Sequence, residues 1–125
     1  MSPELHINLA NLKSNIKFFQ GIIKNNTELS AVVKSDAYGL GIAKIVPEIQ
    51  RYGVRSFFTA TISEAIKIRS SSRDSEIFTL NGFDFLKSNL YREHNITPII
   101  NNILEAQKFI EIFNQTQKVA IQLNT

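Results

Sequence analysis

The sequence predicts an α/β fold built on parallel strands, and three observations carry that prediction. Short β-branched apolar runs alternate with longer segments whose apolar residues recur at helical spacing. The alternation is strict, and strand–helix–strand order makes a parallel sheet with right-handed crossovers. The strand centres fall near positions 32, 58, 78, 98 and 121, so each unit takes about 20 to 26 residues. Eight such units close a (β/α)8 TIM barrel of roughly 250 residues. The 125 residues of this chain therefore hold a partial barrel, about four and a half βα units, after a short N-terminal strand and helix. A single domain spanning residues 1–125 is expected.

Each element has a local reason. Leu5, Ile7 and Leu9 alternate with polar neighbours and predict the opening strand. A helix from Leu9 to about Lys24 follows, with Asn8 as N-cap and Leu12, Ile16, Phe19 and Ile23 on one apolar face. Lys13, Lys17 and Lys24 fall at helical spacing on its solvated side. Ala31 to Val33 reads as a strand buried on both faces. Beyond Gly41, Ile42, Ile45, Val46 and Ile49 are helical in spacing; Pro47 is expected to kink that helix or end its first part, and Gly53 to stop it. Ser56 to Ala60 is the next strand, and Thr61-Ile62-Ser63-Glu64 is a capping-box pattern opening a helix through Ala65, Ile66 and Ile68. The serines at 70–72 read as a loop.

Glu76 to Leu80 is the following strand, with Asn81-Gly82 turning out of it. Phe83, Phe85, Leu86 and Leu90 predict a helix ending near His94. Ile96 to Ile100 is a strand in which Pro98 removes a ladder donor or shortens the pairing. A long amphipathic helix is expected from Asn102 to about Gln115, then a last strand from Lys118 to Leu123. Phe57, Phe58, Phe83 and Phe85 are expected in the core rather than as a stacking platform.

Composition excludes several classes of function. Hydrophobic residues make up 43% and charged residues 20%, the balance of a folded chain. The net charge of +3 is scattered, and no basic block interleaves with aromatics, so nucleic-acid binding is not expected. There is no cysteine, hence neither a disulfide nor a thiolate metal site. His6 and His94 are the only histidines and lie far apart with no carboxylate at ligand spacing; they read as surface residues, and no metal is expected. The N-terminus lacks a basic region followed by an apolar run, and no apolar stretch approaches the ~18 residues of a membrane span. A cytoplasmic protein that keeps clear of the membrane is expected.

Lys34 is the residue out of place. It follows a strand of small apolar residues, at the end of the strand where barrels and open α/β sheets bind ligands. Lysine is almost never fully buried unless something pairs with it or modifies it. A desolvated lysine loses its proton more easily and becomes a Schiff-base nucleophile. A strand end pointing into solvent is the plain alternative. Asp36 suits a turn residue that bonds its own backbone better than an acid–base group. Gly39-Leu40-Gly41 lacks the third glycine of a dinucleotide loop.

The stretch Ala31-Val32-Val33-Lys34-Ser35-Asp36-Ala37-Tyr38-Gly39-Leu40-Gly41 resembles the cofactor-lysine motif of alanine racemases. That motif reads Ala-Val-Val-Lys-Ala-(Asn/Asp)-Ala-Tyr-Gly-His-Gly; the chain matches nine of its eleven positions and departs at Ser35 and Leu40. The resemblance implies that Lys34 carries pyridoxal 5'-phosphate covalently and acts as the acid–base group on one face of the substrate α-carbon. It implies that Tyr38 hydrogen-bonds the cofactor phosphate, while Gly39 and Gly41 supply permissive backbone where the chain turns.

The similarity extends along the chain. Ile7-Asn8-Leu9 with Leu12 and Asn15 resembles the family's opening, and Thr61 to Ala65 its Thr-x-x-Glu-Ala helix entry. Gln122-Leu123-Asn124-Thr125 aligns with the family's Lys-Val-Asp-Thr. Gln122 thus replaces a lysine that is often carbamylated, and Asn124 an aspartate; a neutral amide keeps hydrogen bonds without the carbamate charge. The resemblance implies a cytoplasmic homodimer that interconverts L- and D-alanine and supplies D-alanine for peptidoglycan. In the family the second proton carrier, a tyrosine lent by the other subunit, and a C-terminal β domain lie beyond the matched stretch. The expectation is that these 125 residues alone do not racemise. The alternative is a non-catalytic, truncated remnant, a half-barrel that self-associates with or without the cofactor.

Overall fold

Helix and strand alternate along the chain as its apolar pattern dictates. The structure, a computed structural model, describes residues 2–114 and 117–125. Helix α1 (Leu9–Ile22) leads into β1 (Ser30–Val32), a single turn α2 (Lys34–Tyr38), α3 (Ile42–Arg51) and β2 (Ser56–Thr59). Then come α4 (Ile62–Ser71), β3 (Glu76–Thr79), α5 (Ser88–Glu93), β4 (Thr97–Ile100), α6 (Ile103–Phe113) and β5 (Ala120–Ile121). The strands pair in the order β1-β2-β3-β4-β5, all parallel. Where each strand neighbours the next in sequence, crossovers of one hand place every helix on the same face. The result is the N-terminal part of a TIM barrel.

Register decides which side chains the helices cover. Ala31, Phe57 and Ile77 form one row across β1, β2 and β3, and Phe57 and Ile77 are fully buried beneath the helices. Ile42, Ile45, Val46 and Ile49 of α3 and Ile62, Ala65 and Ile68 of α4 pack into the same core. Each such isoleucine contributes about 1.5–3 kcal/mol by leaving water. Farther along, Phe83, Tyr91, Phe109 and Phe113 form an aromatic cluster that seats α5 and α6. Arg69 closes the helix ends below it. Its guanidinium donates to the carbonyls of Ser72, Arg73, His94 and Asn95, and burial holds its pKa below the ordinary value.

The next row of side chains points to the concave face. It contains Val32, Phe58, Phe78 and Thr97, and the Phe58 and Phe78 rings stack with centroids 4.8 Å apart. Val32 is 46% exposed. The first strand is therefore buried on one face, not two, because among the described residues nothing covers the concave side. Phe58 is accordingly half-buried, while Phe85 is exposed and lies outside the core altogether.

Other expectations are corrected by packing. Residues 2–8 form no strand, since no neighbour is present among the described residues to take up their backbone hydrogen bonds; Leu5, Ile7 and Leu9 lie beside Lys44 and Ile45 of α3 instead. The α3 helix runs through Pro47, where four buried side chains outweigh one lost hydrogen bond. Helix α4 continues to Ser71, with the Ser70 and Ser71 hydroxyls bonding the carbonyls of Lys67 and Ile68. Phe83 precedes its helix; a short 3-10 turn, Phe85–Lys87, comes first. Pro98 sits second in β4 opposite Thr79, and the β3–β4 register is correspondingly short. The expected end of α6 at Gln115 lies outside the described residues. The last strand is reduced to Ala120–Ile121, because it has β4 alone as a neighbour.

Candidate functional site

In the connection after β1, local propensity is overruled over a run of residues. Ser35, Asp36, Ala37 and Tyr38 all have φ between +53 and +56°, and Gly39 and Gly41 follow at +83° and +92°. Turn α2 is thus wound left-handed, a conformation that costs roughly 1–2 kcal/mol for each residue bearing a Cβ. The glycines accept it freely; the other four residues must be held there. Within the turn, Ala37 N–H donates to Val33 O at 3.0 Å, Gly39 N–H to Ser35 O at 2.9 Å, and Gly41 N–H to Asp36 O at 2.8 Å. The Ala37 methyl is buried in the core, which anchors the middle of the turn.

Contacts from outside complete the restraint. Val33 N–H donates to Phe58 O at 2.8 Å, prolonging the β1–β2 ladder to the residue before Lys34. Asp36 Oδ1 accepts the N–H of Ile42 at 3.0 Å and so caps α3 from outside that helix. The Asp36 carboxylate is structural, as expected, but its partner is the N–H of Ile42 six residues on rather than the backbone of its own turn. The Asp36 N–H in turn reaches Glu64 Oε1 at 3.4 Å. Strain concentrated in one loop and supported on every side marks a functional segment more often than a structural one.

Lys34 and Tyr38 occupy the first and last positions of this turn. Lys34 is half-buried at the C-terminal end of β1, and Tyr38 is 63% exposed. Among the described residues neither the Lys34 amine nor the Tyr38 hydroxyl has a hydrogen-bond or ionic partner. The turn therefore offers a primary amine for a carbonyl and a phenol for a phosphate, and the stacked Phe58 and Phe78 line the concave face beyond them. That donor set fits a phosphorylated aldehyde cofactor.

Leu80, Asn81, Asn101, Gln122 and Asn124 line an open pocket at the ends of β3, β4 and β5. Asn101 Nδ2 donates to Leu80 O at 3.0 Å, and the Gln122 N–H to Ile100 O at 3.0 Å. His6 lies 3.4 Å from Glu4 on the surface, and His94 offers its carbonyl to Arg69. No cluster of three His, Cys, Asp or Glu side chains suited to a metal occurs among the described residues.

Sequence reasoning found the capping box at Thr61 but missed the reach of its glutamate to Asp36. The signal that could have found it is an acidic N3 residue directly after the strand neighbouring the lysine strand. It also missed the stacked Phe58–Phe78 pair, although strand alternation places both residues on the face opposite Phe57 and Ile77.

Comparison with known proteins gives one family. Residues 7–125 match the family described as "Alanine racemase, N-terminal domain". The alanine racemase of Rickettsia akari is 32% identical over 125 residues, covering 97% of this chain and 35% of that protein. A crystal structure of alanine racemase from Bartonella henselae with covalently bound pyridoxal phosphate superposes with a TM-score of 0.84 at 30% identity, over 94% of this chain and 35% of that one. A histidine racemase from Leuconostoc mesenteroides is also similar, with a TM-score of 0.71 at 25% identity, over 89% of this chain and 29% of that one. The chain thus spans about a third of the length of these relatives.

Proposed function

The chain belongs to the family of the alanine racemase N-terminal domain, and from that premise we propose that it carries the cofactor-holding lysine of a pyridoxal-phosphate-dependent alanine racemase. The observation that supports this reading is a lysine and a tyrosine, neither with a partner among the described residues, on one strained turn at the strand ends. Lys34 is the covalent attachment point, and once released its amine takes a proton when neutral and returns one when protonated, on the face of the α-carbon it addresses. Tyr38 donates its hydroxyl to the phosphate. When bound, pyridoxal phosphate supplies the electron sink that makes the α-proton removable. Asp36 and Glu64 hold the turn.

Exchange of a proton on the opposite face needs a second base. The family resemblance assigns it to a tyrosine of a second subunit, so a cytosolic homodimer is the proposed assembly. This chain by itself holds the cofactor without racemising. Alanine as the substrate rests on the curated relatives; the histidine racemase marks the same fold serving another amino acid.

An absorbance spectrum tests the reading. Mixing the chain with pyridoxal phosphate produces a band near ~420 nm, characteristic of the covalently held cofactor, and Lys34→Ala abolishes it. A band of equal strength in Lys34→Ala defeats the assignment. Tyr38→Phe weakens pyridoxal phosphate by about tenfold, one hydrogen bond to a charged group, and leaves pyridoxal, which lacks the phosphate, unaffected.

A second reading keeps the fold and drops the chemistry: a half-barrel that associates with its own copy. The groove between α6 and β5 favours it, lined by Ile103, Phe109, Ile110, Ile121 and Leu123. A single monomeric boundary in sedimentation, with the Lys34-dependent band present, rejects it.

A further inference from the structure

We propose that Glu64 is a positioning residue for Lys34 and Tyr38: from the helix after β2, its carboxylate fixes the left-handed turn after β1. The two oxygens do different jobs. Oε2 accepts the N–H of Ala60 at 2.9 Å and of Thr61 at 3.3 Å, while Thr61 Oγ1 accepts the Glu64 N–H at 3.4 Å. The two Thr61 contacts are an ordinary capping box, and the Ala60 N–H adds a third on the same side. Oε1 points the other way and takes the N–H of Asp36 at 3.4 Å, in a different βα unit.

Asp36 is the centre of the turn, two residues from Lys34 and two from Tyr38. Its N–H goes to Glu64 and its own carboxylate to the Ile42 N–H, so it is clamped between the first turns of α4 and α3. A left-handed run of residues bearing Cβ atoms relaxes unless it is restrained from outside. Glu64 supplies that restraint from the neighbouring strand's helix. Where Lys34 and Tyr38 stand at the rim is therefore set partly by a side chain that touches neither.

The chemistry of the clamp requires a carboxylate. A capping box tolerates glutamine as well as glutamate. Here both oxygens accept from backbone N–H groups on opposite sides, and an amide offers one acceptor and one donor. The one oxygen of glutamine stays with the two N–H groups of Ala60 and Thr61, and its NH2 then faces the Asp36 N–H, from which it cannot accept. The inference rests on the proposed function in one respect only, that Lys34 and Tyr38 are the groups being positioned.

The test compares Glu64→Gln and Glu64→Ala with Thr61→Ala in the full chain. Thr61→Ala removes half of the same cap and leaves the arm to Asp36 untouched. The first readout needs no cofactor: amide hydrogen exchange across residues 35–40. Both Glu64 variants are expected to speed exchange of the Asp36 amide about tenfold or more, the equivalent of one charge-assisted hydrogen bond, and Thr61→Ala less than about twofold. The second readout is the affinity of pyridoxal phosphate at Lys34, followed at ~420 nm, which falls about tenfold in the Glu64 variants alone.

Equal effects of Thr61→Ala and Glu64→Gln on the turn overturn the proposal, as does an unchanged Asp36 amide in Glu64→Gln. If the unsubstituted chain gives no Lys34-dependent band, the proposed function falls and the exchange data still decide the role of Glu64. Should Glu64→Ala not fold, Glu64→Gln against Thr61→Ala carries the comparison.

Discussion

The connections after β1 and β2 lie side by side at the same edge of the sheet and do the same topological job by opposite means. After β2 the chain needs two residues, Ala60 and Thr61; Thr61 is extended at φ −124° and its side chain starts α4. The side-chain caps of this loop all come from within four residues, with Asn81 N–H adding one backbone bond to Ala60 O at 3.1 Å from the next strand. After β1 the chain spends the residues from Val33 to Gly41, winding most of them left-handed, and its restraints come from Phe58, Glu64 and the start of α3. The first loop is what the local sequence prefers. The second is what the surrounding fold imposes, and it is the one that carries the lysine.

The connection after β4 shows how far the local device can go without strain. Asn102 Oδ1 accepts the Glu105 N–H at 3.0 Å, and Glu105 Oε2 accepts the Asn101 N–H at 3.0 Å, repeating the arrangement around Glu64. Its carboxylate also reaches the neighbouring loop, but there it meets Gly82, where an added Cβ would lie 2.7 Å from both oxygens. In one pair of loops the glutamate grips a backbone N–H; in the other it fills the space of a missing side chain.

Substitutions can break or sharpen this contrast. The largest effect is expected at Glu64: Glu64→Ala strands three N–H groups in two loops and lowers the urea-unfolding free energy by about 3 kcal/mol, against about 1 kcal/mol for Thr61→Ala. Gly82→Ala comes next, at about 2 kcal/mol by the same assay, because φ of +87° disfavours any Cβ and Glu105 occupies its place. A smaller pair separates the two kinds of backbone by sign. Ser35→Gly relieves left-handed strain and raises stability by about 1 kcal/mol, whereas Lys67→Gly in the ordinary helix α4 lowers it by about 1 kcal/mol. Equal signs in thermal melts would show that the turn is not strained.

The smallest contrast lies one layer beneath. Thr59 and Thr79 are register partners, both fully buried. The single Thr59 Oγ1 proton is shared between the carbonyls of Thr61 at 3.1 Å and Phe78 at 3.3 Å, while Thr79 Oγ1 has no partner among the described residues. Thr59→Val is expected to cost about 1 kcal/mol and Thr79→Val to be neutral or stabilising by up to about 1 kcal/mol.

What the sequence makes legible follows the same division. The strand–helix alternation, the Asn8 and Thr61 caps and the glycine positions at 39, 41, 53 and 82 are local signals, and each is realised. Pro47 inside α3 and the missing strand at residues 2–8 are not local questions: burial of four side chains decides the first and the lack of a pairing neighbour the second. The site divides likewise. The lysine and tyrosine are visible as residue types in a motif, but nothing in Ser35-Asp36-Ala37 announces a left-handed turn, since those residues ordinarily favour other conformations. The hold of Glu64 on Asp36 becomes visible only once β1 and β2 are neighbours.

Lysine selectivity tests the central claim most directly. The chain has nine lysines, and a free aldehyde reacts to some extent with any exposed amine. Treating the protein with an equimolar amount of pyridoxal phosphate, reducing with borohydride and mapping peptides is expected to place the label on Lys34 in clear excess over the other eight. Label spread evenly over the exposed lysines, with Lys34 no more modified than Lys67 or Lys108, would contradict the account.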